Sequence, residues 1–247
     1  MLAAALAVAL LVAAGAVADT FVGTSAADHI TGSPTPDQLY GEDGDDTLDG
    51  LGGSDYIEAG PGGDQITAGA GADLAIGGTG NDRIDMGPGS DVVYAGADND
   101  EIFGGAGNDI LLGQAGADRI FGGPGADRLY AALGPDFVDG GAGNDRIVAS
   151  EGDTTLAGGA DSDVITASGG NFVVDGGAGN DHIETGAGND AITGGKGIDV
   201  VYAGDGDDTI NVADGKRDTV YCGAGNDTVT LDKRDLARNC ETKKRTT

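Results

Sequence analysis

An aspartate followed two residues later by an apolar side chain recurs along this chain in steps of nine. Asp28-His29-Ile30, Asp37-Gln38-Leu39, Asp46-Thr47-Leu48, Asp55-Tyr56-Ile57 and Asp64-Gln65-Ile66 open the series. The register runs without insertion or deletion to Asp208-Thr209-Ile210, takes one extra residue near Val212, and resumes at Asp218-Thr219-Val220 and Asp227-Thr228-Val229. This gives 23 units over about residues 23–230. Each unit joins a six-residue glycine-rich stretch ending in Asp to a three-residue stretch with an apolar centre; the phrase GGAGND stands verbatim at 104–109, 140–145 and 176–181. A short period held over so many units predicts a repeat architecture. The three-residue stretch reads as a minimal strand, its middle side chain inward and its flanks outward. The glycines permit positive φ and close backbone approach in a tight loop. Two units then make one turn of a flattened coil, in which residues 18 apart stack at about the 4.8 Å strand spacing.

Composition explains why a coil is needed. Of 247 residues 49 are glycine, none is tryptophan and only 11 are Phe or Tyr, too few large side chains for a thick globular core. Acidic residues number 42 against 13 Lys plus Arg, a formal net charge of -29. Phosphate binding needs a basic surface, so this balance argues against a nucleic-acid partner. It also opposes compaction: either the chain is disordered, or cations neutralise it on folding.

The ends differ from the middle. Residues 1–18 form an apolar run closing on Ala16-Val17-Ala18, an A-x-A cleavage pattern, with polar sequence from Asp19 onward. The run is short for a membrane span and reads as a secretory signal peptide, with no membrane span after its cleavage and an extracellular destination. Cys222 and Cys240 are the only cysteines; an even count this close together in an exported chain favours a disulfide. Beyond Thr230 the pattern stops. The segment LDKRDLARNCETKKRTT at 231–247 reads as a short helical cap, with Asp232 a candidate N-cap, and a basic tail, clipped over the end of the coil by the cysteines. The expected organisation is therefore a signal peptide at 1–18, a repeat domain at 19–230 and a cap at 231–247.

The nonapeptide resembles the RTX, or hemolysin-type, calcium-binding repeat G-G-x-G-x-D-x-U-x, with U apolar. The resemblance implies an all-β fold, a right-handed parallel β-roll with two nonapeptides per turn, whose edge loops bind several Ca²⁺ ions through aspartate carboxylates and backbone carbonyls. Carried onto this sequence, the ligand aspartates are Asp46, Asp55, Asp64, Asp73, Asp82, Asp91, Asp100, Asp109, Asp118, Asp127, Asp136, Asp145, Asp163, Asp181, Asp190, Asp199 and Asp208. The loop chemistry points the same way on its own. A flexible set of oxygen donors suits calcium, whereas magnesium demands tighter octahedral geometry. Zinc is disfavoured because His29 and His182 stand alone and the cysteines lie outside the main repeats.

Because one turn takes two units, alternate aspartates lie on opposite edges. One edge carries Asp37, Asp55, Asp73 and so on to Asp199; the other runs from Asp28 to Asp136, then Thr154 and Phe172, then Asp190 and Asp208. Carboxylates stacked this closely repel unless a cation lies between them, so ion binding becomes folding free energy. A disordered ion-free chain that folds cooperatively as calcium rises is expected, with weak affinity of about 10⁻⁴ to 10⁻³ M. Thr154 and Phe172, adjacent on one edge, predict a local gap in that edge's calcium ladder around 149–176, with Phe172 filling it by apolar packing.

Outward positions differ between the faces. One sheet shows Thr31, Asp49, Thr67, Asp85, Asp139 and Asp175; the other shows Leu74 with Ile76, Val92 with Tyr94, and Ile110 with Leu112, an apolar patch suited to self-association or a surface partner. No H-E-x-x-H or G-x-S-x-G motif is present, and the histidines are 153 positions apart, so no catalytic residue is assigned. The leading reading is a secreted, calcium-folded structural or surface-interaction module. The alternative is an accessory or remnant repeat module of a secreted enzyme or toxin whose catalytic domain is on another chain.

Overall fold

The computed structural model describes residues 18–246; the apolar run at 1–18 read as a signal peptide lies outside them, Ala18 excepted. Strands alternate along the chain between two parallel sheets of 13 strands each. The first sheet starts at Asp19–Val22 and the second at His29–Thr31. Every strand pairs with the next but one in sequence, at an offset of 18 residues up to the extra residue near Val212: Leu74 lies beside Val92, which lies beside Ile110. The fold is thus a parallel β-solenoid of about 13 turns with no helix among the described residues.

Numbering the repeat from its first loop glycine, the apolar residue at position 8 points inward in both sheets. Leu39, Ile57, Val93 and Leu111 line one wall, and Leu48, Ile66, Ile84 and Ile102 the other, all at 0% exposure. Position 8 is not the only inward row. Many strands run to six residues, as in Leu74–Thr79 and Val92–Ala97, so the alternation carries through to position 1 of the next unit. That second row holds small residues, among them Ala59, Ala68, Ala95 and Ala203, with Met86, Val212 and Cys222 in places. The expectation of a minimal strand with one inward side chain is corrected: each unit supplies a large inward residue and a small one. Two walls facing across a thin core leave room for a branched aliphatic side chain in one row and little more than Cβ in the other.

The end of the chain also departs from expectation. Instead of a helix, residues 231–246 form one more turn of the coil, with strands Leu236–Arg238 and Thr242–Arg245. Thr219 pairs with Leu236 and Thr228 with Thr242, so the offset shortens and a last turn is made without the glycine pattern. Asp232 is a turn residue rather than a helix cap: its carboxylate accepts hydrogen bonds from the backbone N–H groups of Arg234 and Gly215. Local propensity loses here to the exposed backbone edge of the preceding turn, which offers partners to any extended segment laid against it. Lys243 and Arg245 fall opposite the inward Val229 and Leu231, placing charge where further strand addition would bury it. That is a recurrent way of blunting a sheet edge.

Cys222 and Cys240 form the expected disulfide, closing a loop of 18 residues between the buried second row and the last turn. A cross-link over a loop of this length contributes about 3 kcal/mol, and its effect falls on the terminal turn. Cys240→Ser is expected to leave the interior turns intact while hydrogen exchange at 236–245 accelerates by about two orders of magnitude. Uniform loss of protection along the whole coil would contradict this local role.

Candidate metal centre

The loops between the sheets stack into two edges, and glycine is what lets them stack. At position 2 of the loop ending in Asp109, Gly105 has φ 93°, and at position 4 Gly107 has φ 141°. A Cβ at either would run into the carbonyl oxygen of Gly87 or Gly89, one turn back. The geometry is imposed even where glycine is absent: Glu42, Leu51 and Gln114 at position 2, and Asp98 and Asp161 at position 4, all have positive φ, a conformation with a cost of about 1 kcal/mol or more per residue.

Position 6 carries the aspartate, which the inward turn of the chain buries. All 17 aspartates singled out from the sequence are at most 4% exposed. Each is held in a ladder: the backbone N–H of one aspartate donates to Oδ1 of the aspartate one turn later. Asp91 donates to Asp109, Asp109 to Asp127 and Asp127 to Asp145, at 2.8 Å each. On the other edge Asp64 donates to Asp82 and Asp82 to Asp100, at 2.9 and 2.8 Å. The carbonyl of each aspartate accepts from the first strand residue of the next turn, as Asp109 does from Arg128. Oδ1, N–H and C=O are therefore satisfied, but Oδ2 is not. In 19 aspartates, the predicted 17 together with Asp218 and Asp227, the buried Oδ2 has no hydrogen-bond partner.

Sequence reasoning stopped the site at Asp208. The structure continues one edge through Asp218 to Asp235 and the other through Asp227 to Glu241, whose Oε2 accepts the N–H of Asp227 at 2.9 Å. The signal for Asp218 and Asp227 was their place in the nine-residue series; Asp235 and Glu241 have none, because the last loops are shortened. A second, outer ladder was also missed. Asparagine at position 5 accepts, through Oδ1, the backbone N–H of position 5 one turn later: Asn81 from Asn99, Asn99 from Ala117, Asn108 from Ala126 and Asn180 from Ile198, at 2.7–2.8 Å. It runs opposite to the aspartate ladder, the donor in the later turn. The repeated Asn-Asp pair in GGAGND is its trace in the sequence.

On the second edge the ladder changes at Thr154 and Phe172. Oγ1 of Thr154 takes the acceptor place for Asp136 N–H at 3.3 Å and donates to the carbonyl of Gly134 at 3.2 Å. Phe172 is 1% exposed and heads the fully buried side chains by volume. Its N–H still donates to Asp190 Oδ1 at 2.8 Å. The backbone stays in register while the carboxylate column is interrupted for two turns, one filled by a hydroxyl and one by a ring.

Chemically, each of these 19 loops offers one buried carboxylate oxygen without a partner. No three His, Cys, Asp or Glu side chains converge among the described residues, so any ion held here takes most of its donors from the backbone. Those donors are present. The space a side chain would fill at Gly104 is bordered by the Gly122 carbonyl oxygen at 2.7 Å, Asp109 Oδ2 at 2.8 Å and Leu111 Cδ1 at 3.2 Å. A partnerless carboxylate oxygen beside a backbone carbonyl fits a hard, oxygen-seeking cation that tolerates variable coordination.

Burial pushes the ladder carboxyls up, opposed by the N–H on Oδ1 and reinforced by the neighbouring carboxylates: Asp82, Asp91, Asp100 and Asp163 reach about 7, and Asp109, Asp145 and Asp181 about 6, from an ordinary 3.8. A group with a raised folded-state pKa stabilises the fold fully below its unfolded value, and that contribution is lost as pH rises through the folded value. In metal-free buffer, circular dichroism is therefore expected to show β structure near pH 4 that disappears by about pH 7, and calcium to restore it at neutral pH. Metal-free β structure that grows from pH 4 to 7 would contradict the assignment.

The family model for the RTX calcium-binding nonapeptide repeat matches the chain in consecutive copies from residue 14 to residue 232. No curated protein matches it. The match spans both stacked loop edges and the strands that carry them, and its repeat places glycine and aspartate where the loop geometry and the carboxylate ladder require them. The chain belongs to the RTX calcium-binding nonapeptide repeat family.

Proposed function

We propose that residues 19–230, closed by a cap at 231–247, form an exported roll that folds on binding several Ca²⁺ ions and then serves as a non-catalytic structural or surface-interaction module. The observation that carries this reading is the set of 19 buried Oδ2 atoms without a partner. A buried, unpaired carboxylate oxygen costs several kcal/mol, and repetition at every turn makes the ion-free coil unstable at neutral pH. Asp46 to Asp136 and Asp190 to Asp208 on one edge, and Asp55 to Asp199 on the other, would hold the ions together with the loop carbonyls. Bound there, calcium supplies positive charge between stacked carboxylates. Export rests on the A-x-A pattern at 16–18; among the described residues no helix is long and apolar enough to cross a membrane.

The outer faces are what such a module offers to a partner. Leu74, Ile76, Val92, Tyr94, Ile110 and Leu112 are aligned in register on the first sheet and half-buried. The second sheet, read from the sequence as polar, also carries Phe103 and Phe121 stacked in one file and Phe137 in the neighbouring file of Arg119, with Arg83 over Phe103 and Arg119 over Phe121 and Phe137. The first face is the better candidate for self-association, because its side chains have no charged partner laid over them.

A calcium titration followed by circular dichroism and light scattering tests the reading. At neutral pH the chain is expected to lack β structure in excess chelator and to gain it cooperatively at roughly 10⁻⁴ to 10⁻³ M calcium, with Asp109→Asn shifting the midpoint upward several-fold. Full β structure in chelator would refute it. The gap at Thr154 and Phe172 has its own test. The double variant Thr154→Asp, Phe172→Asp, having lost a buried ring, is expected to be about 3–5 kcal/mol less stable at limiting calcium. It should bind at least one more ion at saturation; an unchanged ion count would show that the gap is not set by these side chains.

A further inference from the structure

Asp28, Asp37 and Asp235 stand at the ligand position of their loops, and by sequence the first two continue the series unbroken. Their surroundings differ from those of the 19 interior aspartates in that Oδ2 is occupied by the protein. Asp28 Oδ2 accepts from the backbone N–H and the hydroxyl of Thr24, at 2.6 and 2.9 Å. Asp37 Oδ2 accepts from the N–H of Ser33 at 2.5 Å, and Asp235 Oδ2 from the N–H of Asp232 at 2.7 Å. Oδ1 of Asp37 and Asp235 takes the usual ladder bond, from Asp19 and Asp218. Asp37 and Asp235 are nevertheless as buried as the interior carboxylates, 2% and 3% exposed.

The cause lies in the loops. GTSAAD at 23–28 and GSPTPD at 32–37 have Thr24 and Ser33 at position 2, neither with positive φ. Their N–H groups fold back onto the carboxylate four residues on. The five-residue closure Leu231–Asp235 reaches the same end through Asp232. None of the 19 interior Oδ2 atoms meets an N–H, and their loops, apart from those ending in Asp136, Asp190 and Asp218, carry a left-handed residue at position 2. An N–H on Oδ2 puts a partial positive charge where an ion's charge would act, and displacing it would leave a backbone donor unpaired.

We infer that the ion ladder stops short of both ends of the described coil: Asp28, Asp37 and Asp235 hold no calcium and are hydrogen-bonded closures of its outermost fully described loops. The inference rests on the calcium reading proposed above and bounds it. The roll carries ion-dependent turns between two ends that close without ions, so ion number follows partnerless Oδ2 atoms rather than matches to the repeat.

The test counts ions per folded molecule, by equilibrium dialysis of the full chain with radiolabelled calcium, the folded fraction being read by circular dichroism at saturation. Asp37→Asn and Asp235→Asn are expected to bind the wild-type number, whereas Asp109→Asn and Asp145→Asn each lose at least one ion. Loss of an ion in Asp37→Asn or Asp235→Asn equal to that in Asp109→Asn would overturn the inference; should Asp37→Asn fail to fold, Asp28→Asn supplies the same comparison. A wild-type chain that binds no calcium would instead sink the proposed function, an outcome distinct from either.

Discussion

Stacking one carboxylate on another at every turn is the constraint to which the rest of this molecule answers. A parallel coil of this kind must repeat whatever it places in its loops, and here it repeats a buried aspartate along both edges. The ladder bond from backbone N–H to Oδ1 solves half of the problem, because it satisfies a donor that the loop would otherwise strand and aligns successive turns. It leaves Oδ2 buried and negative beside its neighbours, and like charges at this spacing repel strongly in a poorly solvated interior. Stability therefore depends on what is done about Oδ2: a proton at low pH, a cation at neutral pH, or at the ends an N–H of the protein.

The thin core follows from the same constraint. Loops that turn in six residues bring the two sheets close, so one inward row holds branched aliphatics and the other mostly glycine and alanine. Hydrophobic burial alone is then modest for a chain of this length, and with a net charge of -29 the fold cannot lean on it. Phe172 shows the exchange directly. Where the carboxylate is dropped, a large ring enters the core, and the turn is held by packing instead.

The terminal turns show that the repeat pattern is sufficient for a coil but not required for each turn of it. Residues 231–246 have no glycine repeat, yet pair with the turn before them and carry both ladders to Asp235 and Glu241. The template is the open edge of the previous turn. The disulfide and the basic strand that end the chain keep that edge closed.

The nine-residue period, the inward apolar row, the two edges, the aspartate column with its interruption at Thr154 and Phe172, and the cysteine pair could all be read from the sequence. Each is a local or strictly periodic signal, and a period fixes which residues stack. Four things were decided only by the tertiary structure: the second inward row at position 1, the outer asparagine ladder, the last strands at 236–238 and 242–245, and the division between aspartates with a free Oδ2 and those closed by Thr24, Ser33 or Asp232. The physical reason is common to all four. They depend on where a backbone N–H or Cβ points once turns are stacked, which is set by the φ of neighbouring loop residues and by contacts one turn away, and identity at a repeat position does not carry that information.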